Sequence, residues 1–133
     1  MFAVYSMDYF SYRKLRVYQE SKAFVVYVYE LLKQFPHEEN YALCDQLRRA
    51  VISIPSNIAE GMGRNSLKEQ VRFIEISYAS LNEVMCQLEL SQELNYITKS
   101  QLDKAESLYK DIAKMLSGLR NSKFERLENN VDD

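Results

Sequence analysis

The chain is 133 residues long, with 47% hydrophobic and 27% charged residues and a formal net charge of −2. That length suits one domain burying about two-thirds of the surface its unfolded form exposes, and so small a charge excludes a global attraction to nucleic acid or to an anionic membrane. Three glycines and two prolines are too few turn residues for an all-β fold, which leaves helices.

The N-terminal "MFAVYSMDYF" has neither the basic start nor the small-residue cleavage site of a signal peptide, and Met7 is an alternative start because nothing before it is periodic. From Val17 the apolar positions Val17, Phe24, Val28, Leu31 and Phe35 recur at multiples of three and four up to Pro36, which predicts a first helix over 15–35. The longest apolar run, Ala23 to Leu32, is too short to span a bilayer and carries Glu30, so no membrane association is expected. Leu43, Leu47, Ala50, Ile54 and Ile58 set a second helix over 41–62, which passes through Pro55 and stops at Gly61 and Gly63. An interior proline removes a backbone donor and crowds the preceding turn, at roughly 3 kcal/mol.

Ser66 opens "SLKE", a capping box, and Leu67, Val71, Ile74, Tyr78, Leu81, Met85 and Leu88 then follow a heptad, giving a third helix over 66–94. "TKSQ" at 98–101 is a second box, and Leu102, Ala105, Tyr109, Ile112, Leu116 and Leu119 carry a fourth helix over 98–123. Four helices with short connections predict an all-α, antiparallel up-down-up-down four-helix bundle, one domain over 1–126, with a polar, disordered tail over 127–133. Helix 3 carries Phe73, Ile76 and Val84 off its seam, and helix 1 carries Val25, Val26, Tyr27 and Tyr29 around its circumference. This is more apolar surface than one core stripe needs, and self-association would bury it.

Most catalytic templates fail on inventory. The only histidine, His37, follows Pro36 in a turn, no Glu-x-x-His pair exists, and two cysteines with one histidine do not make a four-ligand zinc site. No catalytic residue, metal or cofactor is therefore expected, and the protein is expected not to be an enzyme. Cys44 and Cys86 are read as free thiols in a reducing compartment, hence a cytoplasmic protein. "GMG" at 61–63 lacks the strand and further glycines of a phosphate loop and ends a helix.

The density of special residues lies in "SIPSNIAEGMGR", 53–64. At about 100° per residue Arg49 aligns with Glu60 and Asn57 with Arg64, so Arg49, Ser53, Asn57, Glu60 and Arg64 form a candidate polar network or interface beside Pro55. The alternative is a solvated charged face. Arg48, Arg49, Arg64, Lys68 and Arg72 fall within 25 positions, and Arg48, Arg64, Lys68 and Arg72 are the candidate contacts to an RNA or DNA backbone.

These residues resemble a known family. Gln46, "RA" at 49–50, "SIPSNIAEG" at 53–61, "GR" at 63–64, Phe73, Ser80, Leu81 and Glu83, "QLE" at 87–89 and "YI" at 96–97 match the bacterial four-helix proteins encoded within intervening sequences of 23S ribosomal RNA genes, over about residues 12–120. The resemblance implies a homopentameric ring of antiparallel bundles. The chain is also similar to the accessory protein of diversity-generating retroelements, a pentamer that binds nucleic acid and reverse transcriptase, although that relative is strongly basic and this chain is acidic. The resulting expectation is a non-enzymatic, homo-oligomeric scaffold or adaptor with RNA, in a ribosomal context, as leading partner; the alternative is a protein-binding adaptor ring with no nucleic-acid role.

Overall fold

The computed structural model describes residues 10–130, and among them all regular structure is helical. After a short 3-10 turn at Ser11–Lys14 come α1 (Arg16–Leu32), a second 3-10 turn at His37–Glu39, α2 (Leu43–Met62), α3 (Leu67–Glu93) and α4 (Lys99–Asn130). Each helix packs on two neighbours in the cyclic order α1, α2, α3, α4, so α1 lies diagonally across from α3. Side-chain pairs fix the antiparallel register: Gln46 meets Gln87 and Ser53 meets Ser80 between α2 and α3, and Tyr109 meets Asn82 between α4 and α3. This is the four-helix bundle that the apolar spacing predicts, and among the described residues no helix is long and apolar enough to cross a membrane.

The expected seams form the core. Phe24, Val28, Leu47, Ile54, Ile58, Ile74, Leu81, Leu88, Ile112 and Leu116 are essentially inaccessible. Helix ends differ from expectation for local reasons. α1 stops at Leu32 rather than Phe35 because the N–H groups of Lys33, Gln34 and Phe35 donate to carbonyls three residues back, a tightened last turn ahead of Pro36. The start of α2 moves to Leu43, whose N–H donates to the Glu39 carboxylate at 3.2 Å. Ser66 Oγ accepts from Glu69 N at 3.0 Å, and the Thr98 and Gln101 box closes in both directions, at 3.1 and 2.9 Å. α3 ends with Asn95 at φ 65° and a 2.8 Å bond from Tyr96 N to Ser91 O, a left-handed cap. α4 continues past 123 to Asn130, since "RNSKFERLENN" holds no glycine or proline and is rich in helix formers. Residues 127–130 of the expected tail are thus helical; 131–133, and the alternative start at Met7, lie outside the described residues.

The extra apolar surface resolves unequally. On α3, Phe73 and Val84 are buried, because that helix packs on both α2 and α4 and uses a wide stripe. On α1, Val26 is 63% exposed and Tyr29 37%.

Candidate functional site

α2 and α3 meet along a seam of small and polar side chains. Ser53 Oγ and Ser80 Oγ share a hydrogen bond at 2.8 Å, and Asn57 Nδ2 donates to both the Ser53 carbonyl and Ser53 Oγ at 2.8 Å. The buried Ser77 hydroxyl donates to the Ile54 carbonyl at 2.9 Å. Farther up, Gln87 Nε2 donates to Gln46 Oε1 and to the Glu83 carboxylate, each at 3.2 Å. At the lower end the helices come closest: a Cβ on Gly61 would stand 2.8 Å from the Cβ of Phe73, so only glycine fits. The helix runs unbroken through Pro55, with Ser53 and the Ile54 carbonyl bonded across the seam and Asn57 bonded back to Ser53 within α2.

Below the seam lies a basic corner. The guanidinium carbons of Arg64 and Arg72 each sit 4.9 Å from the Phe73 ring centroid. Each cation also has its own carboxylate, Arg64 with Glu60 at 2.6 Å and Arg72 with Glu69 at 3.2 Å. Gln70 Nε2 ties the corner down through the Arg64 carbonyl at 2.9 Å. Lys68 projects from the same turn of α3 and is exposed.

The five residues aligned by helical angle do not make one network within the chain. Ser53 and Asn57 enter the seam, Glu60 and Arg64 form a pair about half exposed, and Arg49 reaches back to Asp45 at 3.2 Å with its side chain 81% exposed. Ideal helical angle groups residues that a short Ser or Asn and a long Arg use differently: the short ones stay in the contact, the long ones leave for solvent. The basic set divides as well. Arg48 donates to the Asn40 carbonyl at the opposite end of α2, some 20 Å or more from Arg64 at 1.5 Å per residue. Arg64, Lys68 and Arg72 share one corner and Arg48 does not.

His37 contacts the Asn40 side chain at 3.2 Å, at the top of the bundle. Burial pushes the Cys44 thiol above its ordinary pKa, Arg48 opposing and Glu39 adding, so this cysteine stays protonated. Cys86 is exposed, and neither cysteine is bridged. Among the described residues no cluster of three or more His, Cys, Asp or Glu side chains could hold a metal.

A further surface takes in Val25 and Val26, part of the surplus apolar face of α1, together with residues of α2. α1 and α2 enclose an open groove of about 430 Å³, lined by Tyr18, Lys22, Val25, Val26, Ile52 and Pro55 among others. Ile52 is 43% exposed there, next to Val26. Period alone could have flagged Ile52, which falls off the Leu47, Ala50 and Ile54 face; next to Pro55 it reads as helix interior.

With these elements placed, the comparison with known proteins becomes specific. The family model described as "23S rRNA-intervening sequence protein" matches residues 13–118. The chain belongs to this family. A crystal structure of a protein with unknown function from the S23 ribosomal protein family, from Bacteroides thetaiotaomicron, is similar at 27% identity and a TM-score of 0.72, covering 78% of this chain and 97% of that one. No match is found among curated proteins. The motif residues that carried the resemblance now have positions. Gln46 with Gln87 and Glu83, Ser53 and Asn57 with Ser80, and Gly61 and Arg64 with Phe73 are partners across one helix pair. Many of the residues by which the chain resembles the family thus meet at the α2–α3 contact.

Proposed function

We propose that this protein is a non-catalytic scaffold that assembles with copies of itself, in the cytoplasm, through surface that includes the α1–α2 groove. The observation that carries this is the groove: Val26 and Ile52, large aliphatic side chains, stand 63% and 43% exposed in its lining together with Pro55. Engagement of the motif's polar groups in helix packing, and a Cys44 thiol held protonated, support the absence of catalysis. Free thiols at Cys44 and Cys86 fit a reducing compartment. Light scattering at micromolar concentration is expected to give several times the 15.7 kDa chain mass, five copies being what the resemblance implies. A monomer at every concentration would remove the reading.

RNA is the partner favoured by the corner at which Arg64 and Arg72 flank Phe73, with Lys68 on the same turn. The family's description, in terms of a 23S rRNA intervening sequence, points to the same partner class. Because phosphate contacts release counterions, retention on RNA should fall with salt, and Arg64→Ala, Lys68→Ala and Arg72→Ala together should weaken it and flatten that dependence. Arg48→Ala, at the other end of α2, should leave it unchanged. RNA retention indifferent to the triple substitution would clear the corner of this role and leave the protein-binding adaptor.

A further inference from the structure

The two sides of the bundle differ in charge. Along α1–α2, the apolar groove adjoins a second one nearer the top, lined by Tyr29, Lys33, His37 and Arg48 among others, and neither has a carboxylate in its lining. Along α3–α4 the corresponding hollows are lined by Glu89, Leu90, Glu93 and Glu106, together with Lys99 and Lys110. Glu106 is taken by Lys110 at 3.1 Å, whereas Glu89 and Glu93 have no ion-pair or hydrogen-bond partner among the described residues. Leu90 and Leu94 beside them are each 52% exposed. One side thus offers an apolar groove with Lys33, exposed and paired to Glu30 at 3.0 Å, and Arg48 above it, and the other offers exposed leucines beside Glu89 and Glu93.

The helix register sets these features at matching heights. Gln46 stands level with Gln87, so Arg48 lies only a few residues below Glu89. Gln34 Nε2 bonds the Tyr96 carbonyl at 3.0 Å, which brings its neighbour Lys33 level with the end of α3. The two cations bracket Glu89 and Glu93 in height. Because the helices follow one another cyclically, the α1–α2 and α3–α4 faces point away from each other, and a chain cannot cover its own groove with its own acidic face.

We infer that the α1–α2 groove of one copy receives the α3–α4 face of a second copy, with Lys33 and Arg48 opposite Glu89 and Glu93. The inference rests on the self-assembly reading above and adds its polarity. The two faces differ, so the contact is heterologous and head-to-tail, and the rotation it imposes per copy decides between a closed ring and a filament. Charge complementarity sets the register of the contact, and the aliphatic groove supplies the area that water must leave.

Charge exchange tests it. By light scattering and sedimentation, wild type should be assembled. Lys33→Glu with Arg48→Glu, and separately Glu89→Lys with Glu93→Lys, should each weaken association at least about tenfold; all four changes in one chain should restore it. Val26→Glu with Ile52→Glu should give a monomer, and mixing that chain with the Glu89→Lys, Glu93→Lys chain should yield a complex of two, since each retains one intact face and only folded chains can pair. A monomeric wild type would sink the self-assembly reading itself. An assembled wild type whose charge variants stay assembled, fail to recover when combined, or do not pair on mixing would overturn this inference alone. Lower thermal stability from Val26→Glu and Ile52→Glu without a change in mass would give the groove to another segment of the same chain, and would likewise overturn it.

Discussion

Replacing Gly61 by alanine tests the α2–α3 contact with a single methyl group. Carbon atoms rest comfortably at about 3.5–4.0 Å, and the new Cβ would lie 2.8 Å from the Cβ of Phe73. The neighbour is a side-chain root, which no rotamer change can move, so the helices must separate by a large fraction of an ångström. That movement would strain the Ser53 and Ser80 bond at 2.8 Å and the Ser77 to Ile54 bond at 2.9 Å, two and one helical turns or so away. Overpacking of this kind destabilises by about 1–3 kcal/mol. Alanine's better helix propensity returns about 0.5–1 kcal/mol in a helix interior, and less here, beside the last residue of α2. A net loss of roughly 1–2 kcal/mol follows, or a fall in Tm of roughly 3–10 °C for a chain of this size. Gly118 provides the opposite case: it lies within α4, and a Cβ there meets nothing within 4 Å, so Gly118→Ala should gain up to about 1 kcal/mol. Urea unfolding followed by circular dichroism, at one protein concentration and with unchanged m, measures both. Gly61→Ala as stable as wild type, with Gly118→Ala stabilised as expected, would refute the close approach.

Ser53→Ala and Ser80→Ala should each lose about 1 kcal/mol and combine non-additively in a double-mutant cycle, because one bond joins them and Asn57 loses an acceptor with Ser53. Glu60→Gln should change stability by no more than about 0.5 kcal/mol in the dissociated chain, since its pair with Arg64 is half exposed; a loss of several kcal/mol would mean that assembly buries that pair. Burial raises the pKa of Tyr27 and Tyr109, and the hydrogen bond to the Glu39 carboxylate raises that of Tyr96, so the unfolded chain ionises first, near 10.0. Thermal unfolding should therefore hold steady up to that pH and weaken as pH rises through the higher folded values; a Tm that climbs on the alkaline side would contradict the shifts. In the dissociated chain Cys86 should react with an alkylating reagent and Cys44 only on unfolding, as counted by mass spectrometry with and without denaturant.

The bundle was legible because its information is periodic. Heptad spacing needs only the identity of apolar residues, and Leu67 through Leu88 and Leu102 through Leu116 follow it closely enough that the seams could be named one residue at a time. The local stops were less legible: α1 ends in a 3-10 turn that depends on backbone bonds at 33–35, and α4 runs on past the last seam residue because nothing in its sequence breaks it. At the polar stripe the angular argument chose the right side of the helix for Ser53 and Asn57. Within one chain Arg49, Glu60 and Arg64 leave that contact, because side-chain length, which angle ignores, decides whether a residue at its margin stays in it. Arg48 was grouped with Arg64 by nearness in sequence, yet along a helix sixteen positions are far apart in space.

That many of the residues carrying the resemblance fall on the α2–α3 contact bears on where function can be sought. Glycine at 61, small hydroxyls at 53, 77 and 80 and a carboxamide at 57 let two helices approach closely while these polar groups keep hydrogen-bond partners. Such residues are restricted by packing whatever the protein binds, so a match at them specifies the architecture and leaves the partner open. The restriction has one consequence at the surface. Asn57 and Ser53 turn toward α3, which leaves Pro55, on the other side of α2, facing α1 and the groove with Val26 and Ile52. A proline offers no N–H to solvent or to a partner, and its ring adds apolar area at the groove floor. The same motif that holds α2 to α3 by its polar side therefore presents an apolar side outward, and it is on that outward side that variation in assembly and partner choice should be looked for first.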